Sequence, residues 1–162
     1  MIHHYKIGLA WTGNTGEGTK TYRGYDRSHI ISAPFKPKIE GHFDPAFGGD
    51  KTKYNPEDLF VASISACHML WYLHLCADAG VIVIAYTDEA TGTLIEKSDG
   101  SGHFEEVTLH PKVTVKEKGM EEKAMQLHHD AHKMCFIANS CNFPVKNEPV
   151  IETEKILKRV CT

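Results

Sequence analysis

The chain has 162 residues, 41% of them hydrophobic and 24% charged, with a formal charge of -3. These shares lie near the soluble-domain averages of about 45–50% and about 25%, which excludes collagen-like, disordered and membrane-embedded compositions, and the length predicts one domain over 1–162. Without a net basic field there is little to neutralise phosphates, so nucleic acid is excluded as a partner.

The opening MIHHYKIGLAWTG is too polar for the apolar stretch of a secretory leader. No uninterrupted apolar run of about 18 residues offers a bilayer span. The expectation is therefore a cytoplasmic protein with no membrane partner. Five cysteines are an odd number in a chain too large to need covalent staples. They read as core fillers, metal ligands or redox-active groups kept reduced.

In chain order, residues 5–12 have strand-like spacing, and the cluster Gly13 to Gly18 breaks them before a second β-rich stretch over Thr19 to Ile31, which predicts a first hairpin. Pro34, Pro37, Pro45 and Gly48-Gly49 then predict a long irregular loop. Loops of that length inside a compact domain tend to be functional. Asn55-Pro56-Glu57-Asp58 is the clearest helix start: an N-cap side chain, a proline in the first turn and two carboxylates at the positive end of the dipole. The helix runs to a stop at Gly80.

Almost every face of that helix is apolar or small, so it must be covered on all sides. A single small sheet covers only one. Leaving even about 300 Å² of it wet would cost about 7 kcal/mol, comparable with the whole stability of a domain, and the simplest cover is an intimate homodimer. Beyond the helix, Val81 to Lys97 and Phe104 to Lys116 predict two long strands joined by a turn over Ser98 to Gly102. A second helix is predicted from about Met120 to Met134, and a last strand over Val150 to Val160, a stretch whose composition would also suit a helix. The sum is an α+β fold with an antiparallel sheet.

Cys67 sits in that first helix among the small residues Ala62, Ser63, Ser65 and Ala66. Taken alone, such a thiol reads as a buried filler, and Cys76 and Cys161 read as structural. His128 and His132 share a helix face, with Cys135 and Cys141 following, and imidazole with thiolate suits zinc. With no CxxC and eleven histidines in the chain, this is a weak signal, and a solvated His-rich face explains the pattern without metal.

The segment Asn55-Pro56-Glu57-Asp58-Leu59-Phe60, with Ala66-Cys67 behind it and Ala131-His132-x-x-Cys135-x-x-Ala138-x-Ser140 much later, resembles the OsmC/Ohr family, the osmotically inducible and organic hydroperoxide resistance proteins. The likeness covers nearly the whole chain. Tyr25 to His29, Asp44 to Phe47 and Cys67 to Leu73 resemble one OsmC-like branch of it. The resemblance implies antiparallel sheets wrapped around central helices in an intertwined homodimer. It implies a thiol peroxidase acting in stress defence on organic hydroperoxides, without metal, haem or other cofactor, and with a dithiol reductant that is lipoyl-type in relatives. Carried over by position, Cys67 is the peroxidatic thiol, Cys135 the resolving thiol and Glu57 the acidic partner of an active-site arginine, for which Arg27 is the first choice and Arg23 the reserve. Relatives often carry proline after the second cysteine. Phe136 stands there in this chain, which leaves Cys141 as a competing resolver.

The chemistry asks for the same parts. A peroxide is attacked by thiolate, and a free cysteine near pKa 8.5 is only slightly ionised at neutral pH. Cys67 lies too far from the helix start for the dipole to help, whereas a guanidinium would, with Glu57 offsetting the cost of burying it. Ten residues of straight helix separate Glu57 from Cys67 by about 15 Å. Either the helix kinks or the two residues meet across subunits, and a composite interface site is expected. Phe60, Ile64, Leu70 and Trp71 would line an apolar pocket there. His68 points about 100° away from Cys67 and is left outside the site. A non-catalytic ligand-binding or redox-sensing module on the same fold is the alternative, with zinc on His128, His132 and Cys135 a third reading.

Overall fold

The computed structural model describes residues 1–154. It resolves into two compact units, residues 1–60 and 61–162, with one helix beginning in the first and continuing through the second. The first unit holds a three-stranded antiparallel sheet of β1 (Gly8–Trp11), β2 (His29–Ser32) and β3 (Ile39–Gly41), in that order. The predicted hairpin therefore forms, but with residues 12–28 as a long connection instead of a tight turn. The Pro-rich loop is also shorter than expected, since it contributes β3 and a single 3-10 turn over Pro45–Phe47.

The long connection is pinned through Asp26 to His42, the residue after β3. His42, 6% exposed, accepts a hydrogen bond from the Asp50 backbone N–H at 3.2 Å on Nδ1 and places Nε2 3.3 Å from Asp26 Oδ1. The Asp26 carboxyl is held at about 2, first by its hydrogen bonds from Ser28 and then by His42.

Helix α1 (Pro56–Asp78) starts where the sequence places it. The Asn55 Oδ1 accepts from the Asp58 N–H at 2.7 Å and the Asp58 carboxylate accepts from the Asn55 N–H at 3.3 Å, a reciprocal cap that satisfies two otherwise orphaned donors. At the other end Gly80 takes φ 73°, the Val81 N–H reaches Cys76 O at 2.8 Å and the Gly80 N–H reaches Ala77 O at 3.2 Å. This is a Schellman stop, which a residue with a Cβ enters only with strain.

The second unit contains the rest of α1, the helix α2 (Glu121–Met134), and two three-stranded sheets. One has the order β4 (Val83–Asp88), β7 (Pro111–Val115), β9 (Val150–Thr153); the other has β5 (Thr91–Glu96), β6 (Gly102–Leu109), β8 (Val145–Asn147). The expected long hairpin over 81–116 is thus corrected. It closes at its tip as β5 and β6, but each arm changes sheet near residues 89–90 and 110. Asp88 stands at that corner, its carboxylate accepting from the His110 N–H at 2.7 Å and from the Ser65 hydroxyl at 2.5 Å. Pro111, which has no N–H to give a ladder, follows at once. The sheets are not purely antiparallel either, because β8 joins β6 and β9 joins β7 in parallel. The last strand ends at Thr153, and the remainder of the predicted 150–160 strand, with Cys161, lies outside the described residues.

The core of this unit joins Tyr72 and Cys76 of α1, Val113 and Val115 of β7, and Ala124, Leu127 and Ala131 of α2. On α1 the buried residues are Ile64, His68, Tyr72 and Cys76, one every fourth position. That is a single stripe of a helix. Trp71, Leu73 and Leu75 are partly covered by that core, whereas Leu70 is 63% exposed within one chain. By length and composition α1 also qualifies as a membrane-crossing helix, so the sequence reading that no such span exists is corrected. Its buried stripe, with two polar rings on it, packs against protein in this structure.

Candidate active site

Cys67 lies at the middle of α1 beside that stripe, half-buried; Cys135, the residue after α2, is fully buried. Both thiols are free, and Cys67 lies near enough to Cys135 to add to the rise of its thiol. Two facts of local structure bring them together. The helices share a core of Tyr72 and Cys76 with Ala124, Leu127 and Ala131, and α2 ends so that Cys135 turns back against α1, its Sγ 4.0 Å from Ile64 O, one turn before Cys67. Burial pushes the Cys135 thiol up to about 11, reinforced by the neighbouring Cys67.

The turn that follows is tied at several points. Asn139 Nδ2 donates to Lys133 O at 2.9 Å, covering a carbonyl at the α2 terminus, and the Ser140 hydroxyl donates to Phe136 O at 2.8 Å. The Ala138 N–H points at Cys135 Sγ, 3.4 Å away. Phe136 is 64% exposed and sets its ring edge-on to Trp71, centroids 5.5 Å apart. Cys141 donates its thiol to Ile137 O at 3.3 Å.

Arg27 belongs to the first unit. Its guanidinium donates to Tyr25 O at 2.7 Å and to Tyr22 O at 2.5 Å, and lies 4.1 Å and 4.5 Å from the centroids of the Tyr25 and Tyr22 rings. Carbonyls and aromatic faces both favour a cation, so this loop holds the side chain in a set place. Arg23, the reserve, is exposed. Glu57 sits half-buried in the first turn of α1 and has no ion-pair partner among the described residues. The helix is unbroken from Pro56 to Asp78, so Glu57 and Cys67 stand about 15 Å apart along it.

Of the expected pocket residues, Ile64 is fully buried while Leu70 points outward. A cleft of about 310 Å³ lies elsewhere, between α2 and β8, lined by Met125, His128, His129, His132, Val145, Asn147 and Pro149.

Sequence reasoning set His68 aside, and it is indeed turned away from Cys67's side of the helix, but it is no bystander. It is 1% exposed, with Nε2 3.0 Å from His128 Nδ1 and 3.4 Å from Asn147 Nδ2, and its ring is parallel to that of His128. Tyr72 stacks on the other side of His128, centroids 3.8 Å apart. Burial lowers His68 to about 4, with His132 adding to the effect, and lowers His128 to about 3, with His68 adding. The signal in the sequence was the four-residue spacing of Ile64, His68, Tyr72 and Cys76. Because His128 turns to His68, it does not join His132 and Cys135 as a ligand set, and no group of three metal-binding side chains assembles among the described residues.

A family model described as OsmC-like protein matches residues 48–150. The chain belongs to the OsmC-like family. An OsmC-like protein of unknown function from Vibrio cholerae O1 biovar eltor is 30% identical, with 92% of this chain and all of that one covered and a TM-score of 0.82. An organic hydroperoxide resistance protein from Elizabethkingia anophelis, solved with crystallant-derived thiocyanate bound, is 22% identical over 95% of this chain and all of that one, TM-score 0.67. A second Vibrio cholerae structure, a putative organic hydroperoxide resistance protein with captopril bound in one of the active sites, is 21% identical over 93% and 94%, TM-score 0.61. No curated protein matches. The α+β fold with two helices and three small sheets is thus the OsmC-like fold.

Proposed function

We propose that this OsmC-like protein is a thiol peroxidase reducing organic hydroperoxides in stress defence, with Cys67 the attacking sulfur and Cys135 the resolving one. The observation that carries the reading is the nearness of two reduced thiols, one half-buried and one enclosed, Cys135 Sγ lying against α1 one turn before Cys67. The half-buried sulfur is the one a substrate reaches. Its thiolate attacks the terminal peroxide oxygen, the O–O bond breaks, the alkoxide takes a proton to leave as an alcohol, and Cys67 becomes a sulfenic acid. The Cys135 sulfur then attacks Cys67, expelling water and forming the disulfide, so that the hydroperoxide and two thiols yield an alcohol, water and one S–S bond. A dithiol reductant restores both thiols.

A cation must stabilise the attacking thiolate, and Arg27, with Glu57 as its acidic partner, is assigned that role. With Glu57 about 15 Å from Cys67 along one straight helix, the site is composite and completed by a second copy. The exposed Leu70 on α1 favours the same homodimer. The cytoplasm, where thiols stay reduced, suits this chemistry.

The test is to treat reduced protein with one equivalent of cumene hydroperoxide. Intact mass should fall by two hydrogens and peptide mapping should link Cys67 to Cys135; thiols left unreacted reject the reading. Cys135→Ser should stop after one equivalent as a sulfenic acid on Cys67, and Cys67→Ser should consume nothing.

A further inference from the structure

If the two sulfurs are joined, a reductant must choose which one to attack, and the sulfur it leaves behind departs as a thiolate. The choice sets where the reductant docks. Access and charge can each be read at this site. Cys135 is fully buried, whereas Cys67 is partly open. A thiolate released in an enclosed apolar setting is costly unless donors meet it. At Cys135, where burial raises the thiol, the Ala138 N–H 3.4 Å from the sulfur opposes that rise.

The peptide that carries the Ala138 N–H is itself fixed. Its carbonyl, Ile137 O, accepts from the Ser140 N–H at 3.0 Å and from the Cys141 thiol at 3.3 Å. Donors on the carbonyl side polarise the same peptide and strengthen the N–H on its other face. Cys141, which the sequence offers as a competing resolver, is thereby placed behind the turn.

We propose that the 137–141 turn is a thiolate cradle for Cys135, so that a thiol reductant attacks the Cys67 sulfur of the disulfide and Cys141 acts as a positioning residue for the cradle. In the step, the reductant's thiolate bonds to Cys67 Sγ, the Cys67–Cys135 bond breaks, and its electron pair leaves on Cys135, where the Ala138 N–H receives it. The second thiol of the reductant then displaces Cys67. The reductant consequently meets the α1 side of the site and never contacts Cys135. This assignment rests on the pairing of the two cysteines proposed above, but its test does not need peroxidase activity, because diamide makes the disulfide without a hydroperoxide.

Diamide-oxidised full-length protein is mixed with excess glutathione, quenched in acid, alkylated and mapped. Glutathione should be found on Cys67 with Cys135 alkylated, in about tenfold excess over the reverse; equal labelling, or glutathione chiefly on Cys135, overturns the assignment. Whether or not an adduct accumulates, loss of the disulfide in dithiothreitol at neutral pH is followed by mass. Cys141→Ala should slow it about threefold or more while Cys141→Ser, which keeps a donor, preserves the wild-type rate; equal rates for all three remove Cys141 from the cradle. Failure to react with cumene hydroperoxide would sink the peroxidase reading and leave both of these results standing.

Discussion

The His68–His128 pair makes stability depend steeply on pH below neutrality. Both imidazoles are buried and held neutral, His68 to about 4 and His128 to about 3, whereas in the unfolded chain each titrates near 6.5. A histidine whose folded pKa is depressed lets the unfolded chain take up the proton first. Its effect on stability is negligible above about pH 6.5 and grows as the pH falls toward the folded values. Between pH 7 and pH 5 each ring should cost about 2 kcal/mol, and the pair about 4 kcal/mol. That is a large part of the roughly 5–15 kcal/mol that holds a domain together.

The perturbation that isolates this contribution is His128→Phe, because a phenyl ring preserves the stack on Tyr72 at 3.8 Å while removing one titrating group. Urea unfolding at fixed protein concentration should show the wild type losing about 4 kcal/mol from pH 7 to 5 and the variant about half of that. The absolute stability of the variant at pH 7 is immaterial; the slope decides. The same slope in both proteins would refute the claim that these two rings stay uncharged in the fold.

Two further outcomes follow from the site. Arg27→Ala should lower kcat/KM for cumene hydroperoxide by about a hundredfold, the usual effect of losing a donor at developing charge, while Arg23→Ala leaves it within about threefold; steady-state assays separate the two, and the reverse order would transfer the role to Arg23. Leu70→Glu places a charge on the uncovered side of α1. Sedimentation should show it as a monomer at concentrations where the wild type is a dimer, and a wild type that is itself monomeric would remove the composite site.

Features encoded in a few neighbouring residues were legible in the sequence. The start of α1 was, because Asn55, Pro56 and Asp58 make the cap among themselves, and so was its end at Gly80. Helix α2 was found to within a residue because Ala124, Leu127, His128 and Ala131 repeat at helical spacing. The 81–116 region was misread because strand propensity does not record which sheet a segment joins. The corner depends on Asp88 meeting His110 and Ser65, partners 22 and 23 positions away. Likewise His68 was judged only by its neighbour Cys67, while its real partners are His128 and Asn147, 60 and 79 positions distant. The adjacency of Cys67 and Cys135 came from family resemblance; spacing alone carries no distance across 68 residues of chain.

That separation has a consequence of its own. A covalent tie between residues 67 and 135 would cinch the second unit across nearly half the molecule's length, and shortening the slack of the denatured chain over a loop of roughly 70 residues amounts to about 4 kcal/mol. The oxidised protein should melt later and resist proteases longer than the reduced one. Each turnover would then pass through a sturdier and a softer form, and a thermal-shift dye would follow the redox poise of the sample without any substrate being added.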